Sequence, residues 1–419
     1  DGEIDKDAFK RGTSVYLVDR VIPMLPHKLS NGICSLNPNT NRLALSCVMK
    51  INNKGEVVDY RIFESVICSK KQMTYNNVNK ILEENTIPEG YEDFADNLKL
   101  MKELSDILRS KMVRRGYLEF DSPEAKILVN EKCEPIDIVL RSQRTGEKLI
   151  ENFMIVANET VAGFVEDMDL PGIYRVHDKP NPEKLKTFIR FLSLKGYSFN
   201  MDVNKIKNYS YQKMLDMFKD KEEGSILSSL AIQTMAKAKY SNVNIGHFGL
   251  GSKRYSHFTS PIRRYPDLTL HRLVKDYLKK YSTKTISKWE KLLPVIADHS
   301  SIKEQDSINC ERDVEKMKKA QYMEGHIGEV FKGVVSGVCE FGIFVQLENT
   351  VEGLVKVEDI KGDYYVYDKE LGIMVGKNSK NRYMFGDVVT VEVINASRET
   401  SMVDFKIVKD VDYGEKKKK

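Results

Sequence analysis

Apolar residues change their spacing along the chain, and the changes mark its elements. Up to about residue 70, short apolar runs alternate with turn formers. VYLVDRVIPMLP and LALSCVMKINNKGEVVDYRIFESVICS read as strands, with Asn53, Lys54 and Gly55 making a hairpin turn. From Thr74 to Met112 the spacing is helical, with Leu98, Met101, Leu104, Ile107 and Leu108 three or four residues apart. A short β segment is expected near Ala125 to Val139. The stretch from Lys148 to Phe164 then puts Leu149, Phe153, Val156, Ala157, Val161 and Phe164 on one helical stripe. Asn181-Pro182-Glu183 opens another helix, Ser225 to Ala238 reads as a third, and Asp267 to Tyr277 and Ser287 to about Met323 continue the series. Residues 1–320 are thus expected to form one large α+β domain.

At Gly325 the pattern becomes alternating and Val-rich, with Gly turns, in IGEVFKGVVSGVCEFGIFVQLENTVEGLVKVEDI. It resumes after a Tyr-rich insertion at GDVVTVEVINASRETSMVDFKIV, and residues 325–408 are expected to close into a five-stranded barrel of OB type. Residues 409–419, ending GEKKKK, read as a disordered basic tail.

Composition removes several classes. A chain of 419 residues, 41% hydrophobic and 30% charged, is neither one small domain nor wholly disordered. The formal charge of +5, from 66 basic and 61 acidic residues, is too small for an arginine-rich tail binder but leaves room for a local basic groove. Six scattered Cys without a C-x-x-C pair support neither a structural zinc site nor a disulfide framework, so a reducing cytoplasm is expected. No apolar run approaches the ~18 residues of a spanning helix, and DGEIDKDAFKRG is too charged for a secretory signal. The chain starts at Asp1 without an initiator Met, which reads as a processed product or a fragment.

The most informative stretch is His257-Phe258-Thr259-Ser260-Pro261-Ile262-Arg263-Arg264-Tyr265-Pro266-Asp267. Thr259 and Ser260 are good N-cap residues and Pro261 suits a first helical position, so free backbone N–H groups would share space with Arg263 and Arg264, as a phosphate site requires. The competing reading is that these arginines pair with carboxylates; two adjacent arginines cannot point the same way, so one faces substrate and the other braces. His257 and His271 lie fourteen residues apart without carboxylate partners at ligand spacing, which favours packing over metal binding.

Three strings carry a resemblance: RGTSVYLVDRVIPMLPHKLSNGICSLNP (Arg11 to Pro38), GHFGL (Gly246 to Leu250) and HFTSPIRRYPDLTLHR (His257 to Arg272). They resemble the catalytic domain of the bacterial ribonuclease R family, within the ribonuclease II superfamily, and the region after Gly325 is similar to the S-one RNA-binding domain that follows it. The resemblance implies a monomeric 3′-to-5′ exoribonuclease that draws single-stranded RNA into a narrow channel and releases nucleoside 5′-monophosphates processively with Mg²⁺-bound water. It implies Arg263 as the cation over the developing phosphate charge, with Ser260 and Arg264 beside the RNA. Tyr16 matches a tyrosine that stacks on the 3′ base, and Tyr75 a second stacking residue, although a Tyr in an apolar strand is otherwise a core residue. Glu311 matches a position tuning how tightly RNA is held, or is a surface charge. Glu151 lines the nucleotide path or forms a structural bridge. In the barrel, Phe341 and Phe344 would lie near one another on a strand face and stack on bases. Lys356, standing where many such domains carry His, would attract phosphate.

The family's metal ligands, D-x-x-x-x-x-D-x-D-D, fall well ahead of RGTSVY, and only ten residues precede Arg11 here. Asp1, Glu3, Asp5 and Asp7 are an acidic cluster, but their distance from RGTSVYL matches a family segment without a role in metal binding. The expectation is an N-terminally truncated nuclease without its own Mg²⁺ ligands; the alternative is a noncatalytic single-stranded RNA-binding protein derived from one.

Overall fold

Gly12 ends the first helix, α1 (Glu3–Arg11), by adopting φ +71°, with its N–H on the Ala8 carbonyl. In the computed structural model, which describes residues 2–119, 124–199, 202–218, 221, 224–279, 281–369 and 371–409, two very short strands follow, β1 (Val15–Tyr16) and β2 (Val21–Ile22). The expected hairpin is a long antiparallel pair, β3 (Asn41–Ile51) and β4 (Val57–Cys68), turned at Gly55 with φ +75°.

The helical stretch from Thr74 divides into α2 (Tyr75–Glu84) and α3 (Ala95–Arg115). Asn85 at φ +50° ends α2, and the Pro88–Gly90 stretch cannot continue it. The β segment is a hairpin, β5 (Glu124–Val129) with β6 (Pro135–Arg141). Helix α4 (Thr145–Asp167) leads to β7 (Tyr174–Val176), and α5 (Pro182–Leu194) starts where expected, the Asn181 side chain accepting the Glu183 and Lys184 N–H groups at 3.0 and 3.1 Å. Then come α6 (Asn208–Asp216), α7 (Gly224–Thr234), β8 (Lys239–Ser241) paired with β7, α8 (Tyr265–Leu278) and the long α9 (Thr283–Met323). Helix α7 ends four residues earlier than expected.

One expectation fails in an informative way. The helix after the Ser-Pro motif begins at Tyr265, with Pro266 in its first turn, so Thr259 and Ser260 do not cap it. Residues 263–265 are instead drawn into extended pairing with the segment after α1: Ser14 N–H bonds to Arg263 O at 3.0 Å and Tyr265 N–H to Gly12 O at 2.9 Å.

The core beneath this region joins Val161 and Val165 of α4, Phe258, Leu270 and Leu273 of the 258–278 region, and Trp289 and Leu293 of α9. Burying such side chains contributes roughly 1.5–3 kcal/mol each.

The C-terminal region is a closed barrel of β9 (Val330–Cys339), β10 (Gly342–Leu347), β11 (Glu352–Lys356), β15 (Val388–Ser397) and β16 (Met402–Lys409), in the order β10-β11-β16-β15-β9. The Tyr-rich insertion is a separate three-stranded sheet of β12 (Tyr365–Asp368), β13 (Ile373–Gly376) and β14 (Arg382–Tyr383). Tyr365, Met374 and Tyr383 join the barrel core, as do Ile127 and Ile138 of the β5–β6 hairpin and Ala320 and Met323 of α9. Of the basic tail expected over residues 409–419, Lys409 ends β16 and the rest lies outside the described residues. Among the described residues no helix is long and apolar enough to cross a membrane.

Candidate functional site

The loop before α8 is built around one fully buried carboxylate. Asp267 Oδ2 accepts the Ser260 N–H at 2.8 Å and an Arg264 Nη2 hydrogen bond at 2.9 Å, tying both ends of the turn together. Burial pushes the Asp267 carboxyl up, and the Arg264 guanidinium opposes that push. Arg264 therefore braces the loop. The Arg263 carbonyl is held by Ser14 N–H and by Thr13 Oγ1 at 3.1 Å, while its guanidinium has no ion pair or hydrogen bond among the described residues. Behind the loop, His257 Nδ1 meets the Tyr240 hydroxyl at 2.9 Å, and His271 Nε2 donates to Phe258 O at 2.8 Å while its ring stacks on Phe258. Burial holds His257 and His271 neutral, His271 being pushed down to about 4.

Arg264 also faces a cleft of about 370 Å³, shared with Tyr75, Arg141, Glu151, Asn158 and Tyr255. Tyr75 is the first residue of α2, and its ring is exposed. Glu151 Oε1 accepts the Tyr117 hydroxyl at 2.8 Å, and the Arg109 guanidinium lies 4.2 Å from the Tyr117 ring centroid. Burial, aided by Glu151, pushes the Tyr117 hydroxyl up to about 12. Glu151 thus lines the cleft and makes a structural bridge together.

Tyr16 and Glu311, 295 residues apart, also meet. Glu311 Oε1 accepts the Tyr16 N–H at 2.9 Å and the Ser307 hydroxyl at 3.0 Å, while the Tyr16 ring stays exposed. Neither Tyr16 nor Arg263 lines the cleft, but Ser14, two residues before Tyr16, is the residue bonded to Arg263 O. The structure therefore gathers Tyr75, Glu151 and Arg264 at one cavity, with Arg263 in the adjoining loop, Tyr16 on the segment bonded to that loop and Glu311 bonded in turn to Tyr16.

In the barrel, Phe341 sits in the β9–β10 turn rather than on a strand, so the expected shared strand face does not form. Its ring is 58% exposed and packs edge-on to the half-buried Phe344 of β10, centroids 6.2 Å apart. A tight turn at Gly342, whose Cβ would strike the Val355 carbonyl, lifts Phe341 off the strand. Lys356, at the end of β11, is 3.9 Å from Asp404, which partly offsets its charge.

A larger groove, about 1300 Å³, runs between the α+β domain and the barrel. Lys184 and Arg190 of α5, Arg312 of α9 and Lys369 after β12 line it, each without an ion pair among the described residues. Arg175 pairs with Glu304 at 2.6 Å, and Lys237 donates to Gln305 at 2.8 Å. Glu304 is the only carboxylate among the described lining residues, and Phe188, Phe191 and Tyr367 supply aromatic surface. These residues carry no motif, and what joins them is the fold. Leu250 lines both cavities, so groove and cleft meet there.

The described residues do not fit a Mg²⁺ site. No group of three or more His, Cys, Asp or Glu side chains among them is placed to hold a metal. The N-terminal carboxylates have other partners: Glu3 pairs with Lys6 at 2.7 Å, Asp7 with Arg11 at 3.0 Å, and Asp5 with Arg272 at 2.6 Å and the Tyr265 hydroxyl at 3.0 Å.

Comparison with known proteins places this geometry. Residues 1–280 match the RNB domain model, and residues 325–407 match the S1 RNA binding domain model. Ribonuclease R 1 of Lactococcus lactis is 45% identical over 408 residues, covering 96% of this chain and 49% of that protein. Ribonuclease R of Thermotoga maritima is 44% identical over 412 residues, 97% of this chain and 58% of its own length. The chain thus spans about half to three fifths of these curated relatives. The structure of Mycoplasma genitalium RNase R in complex with ribose methylated single-stranded RNA superposes with a TM-score of 0.93 at 31% identity, over 97% of this chain and 64% of that one.

Proposed function

The chain belongs to the RNB-domain family, and from that premise we propose that it is the catalytic-domain and barrel portion of a 3′-to-5′ exoribonuclease that degrades single-stranded RNA processively to nucleoside 5′-monophosphates. One observation carries the reading: four cations from α5, α9 and the β12 turn, without ion pairs among the described residues, line a groove that shares Leu250 with the cleft of Tyr75, Glu151 and Arg264. Unpaired arginine and lysine among aromatic rings suit a flexible polyanion whose bases stack without regard to sequence. The Mycoplasma relative solved with single-stranded RNA supports the same partner.

In this proposal the strand lies in the groove, and its bases stack on Tyr75 and Tyr16. Asp267 and Arg264 hold the loop so that Arg263 meets the scissile phosphate, where a preorganised cation stabilises developing charge. Glu311 sets Tyr16 through its backbone N–H. Mg²⁺, when bound, would supply the activated water, and the described residues offer no set of ligands for it. The protein acts as a cytoplasmic monomer. A second reading, a noncatalytic RNA-binding protein, rests on the lack of a metal-ligand cluster among the described residues.

The test titrates a 5′-fluorescein single-stranded oligouridylate with the chain at several salt concentrations. The expected result is binding whose log affinity falls with log salt at a slope of about −3, four phosphate contacts at ~0.7 each on a single strand. Salt-independent binding, or none, overturns the proposal. Release of 5′-monophosphates from 3′-labelled RNA by the intact protein, and not by the chain alone, supports the enzyme over the binder.

A further inference from the structure

The three-stranded sheet of β12, β13 and β14 lies outside the barrel's closed ring, yet its turn forms one wall of the groove. We propose that this insertion is an RNA-backbone clamp, with Lys369 its phosphate contact, in the groove that Lys184 and Arg190 also line. The inference rests on the reading of the groove as a single-strand path and adds a binding element that the five-stranded barrel alone does not provide.

Three features carry it. First, the sheet is rigidly mounted, because Tyr365, Met374 and Tyr383 are buried in the core the barrel strands share. Second, the residues either side of the Lys369 turn are tied to one another. Asp368 O accepts the Gly372 N–H at 2.8 Å, Asp368 Oδ1 accepts the Leu371 N–H at 3.0 Å, and Gly372 stands at φ +65°, which favours glycine. Third, the groove lining here suits a nucleic acid: Tyr367 of β12, half-buried against the barrel core, lines the groove, and Lys369 is exposed with no carboxylate partner among the described residues. The Lys195–Asp387 ion pair at 2.8 Å and the edge-on Phe191–Phe385 contact join α5 to the barrel region at the groove. A lysine on a braced turn gives a phosphate contact at less entropic cost than one on a free loop.

The experiment uses the whole chain and the oligouridylate above. Lys369→Ala is expected to weaken binding roughly threefold near 0.1 M salt and to make the salt slope shallower by about 0.7, the signature of one lost phosphate contact. Lys369→Arg should restore both. The joint Lys184→Ala, Arg190→Ala variant should flatten the slope by about 1.4. Lys369 is an exposed turn residue, and circular dichroism of each variant separates lost contacts from lost fold. If that pair flattens the slope while Lys369→Ala leaves affinity and slope unchanged, the clamp is wrong and the groove reading stands. If no variant changes the slope, the groove reading itself falls.

Discussion

The two cavities meet at Leu250 but are built on opposite principles. In the cleft, Arg264 is committed to Asp267, Arg141 lies 3.7 Å from Glu147, and Glu124, Glu147 and Glu151 outnumber the arginines. In the groove, among the described lining residues, six cations face one carboxylate, and Lys184, Arg190, Arg312 and Lys369 have no ion pair. A cavity of the first kind does not attract a polyanion by charge; it can only select what is delivered to it, by shape, stacking and hydrogen bonding. A cavity of the second kind attracts any polyanion and selects little. The pairing separates grip from discrimination, which suits an enzyme that must hold many sequences while reacting at one bond.

The largest expected effect tests that separation on the chemical side. If the proposed function holds, Arg263→Ala in the intact protein should lower kcat by 10² to 10³, the usual consequence of removing one preorganised donor, with RNA affinity changed less than threefold. The joint Lys184→Ala, Arg190→Ala variant should do the reverse, raising KM and sparing kcat. Single-turnover kinetics on a 3′-labelled RNA distinguish the patterns. Equal losses of kcat in both variants would mean that the loop beside the cleft and the groove do not divide the work.

Next comes the buried pair behind the cleft. Asp267→Ala leaves Arg264 without its carboxylate and Ser260 N–H without its acceptor, in a site where Asp267 is fully buried. Breaking such a pair from one side costs about 3–5 kcal/mol. Denaturant unfolding of the chain should show that loss, whereas Lys369→Ala on the groove wall should change stability by less than about 0.5 kcal/mol. A loss below about 1 kcal/mol for Asp267→Ala would show that the extended pairing of residues 263–265 with the Gly12–Ser14 segment, not the carboxylate, holds the loop.

This contrast also explains what was legible in the sequence. Helix α5 announced itself because Asn181, Pro182 and Glu183 are a local start signal, satisfied by bonds within four residues. The barrel showed through its alternation and Gly turns. The start of α8 misled because Thr259, Ser260 and Pro261 carry an equally good local signal, overridden by a partner some 250 residues away at Thr13 and Ser14. Of the candidate site, Arg263 and Arg264 were legible in one long specific string and Tyr16 in another, whereas Tyr75 was legible only through the resemblance. The Tyr117–Glu151 bond and the groove cations were not, because Lys184, Arg190, Arg312 and Lys369 have no common spacing and become neighbours only when α5, α9 and the barrel insertion pack.

The smallest effect is set by acid. Burial pushes His247 down to about 3 and His271 to about 4, and both belong to the domain that carries the cleft, whereas residues 330–409 contain no histidine. A buried imidazole whose folded pKa is depressed contributes stability that is complete above the unfolded value near 6.5 and is lost as pH falls toward the folded value, because the unfolded chain takes up the proton first. At pH 5.5 each histidine should have cost on the order of 1 kcal/mol. Hydrogen exchange compared at pH 7 and 5.5 should therefore show α8 and its preceding loop losing protection while β9, β10, β15 and β16 keep theirs. The outer wall of the groove would then outlast the cleft it feeds, and a barrel that opened first, or in step with α8, would show the two regions to be one cooperative unit.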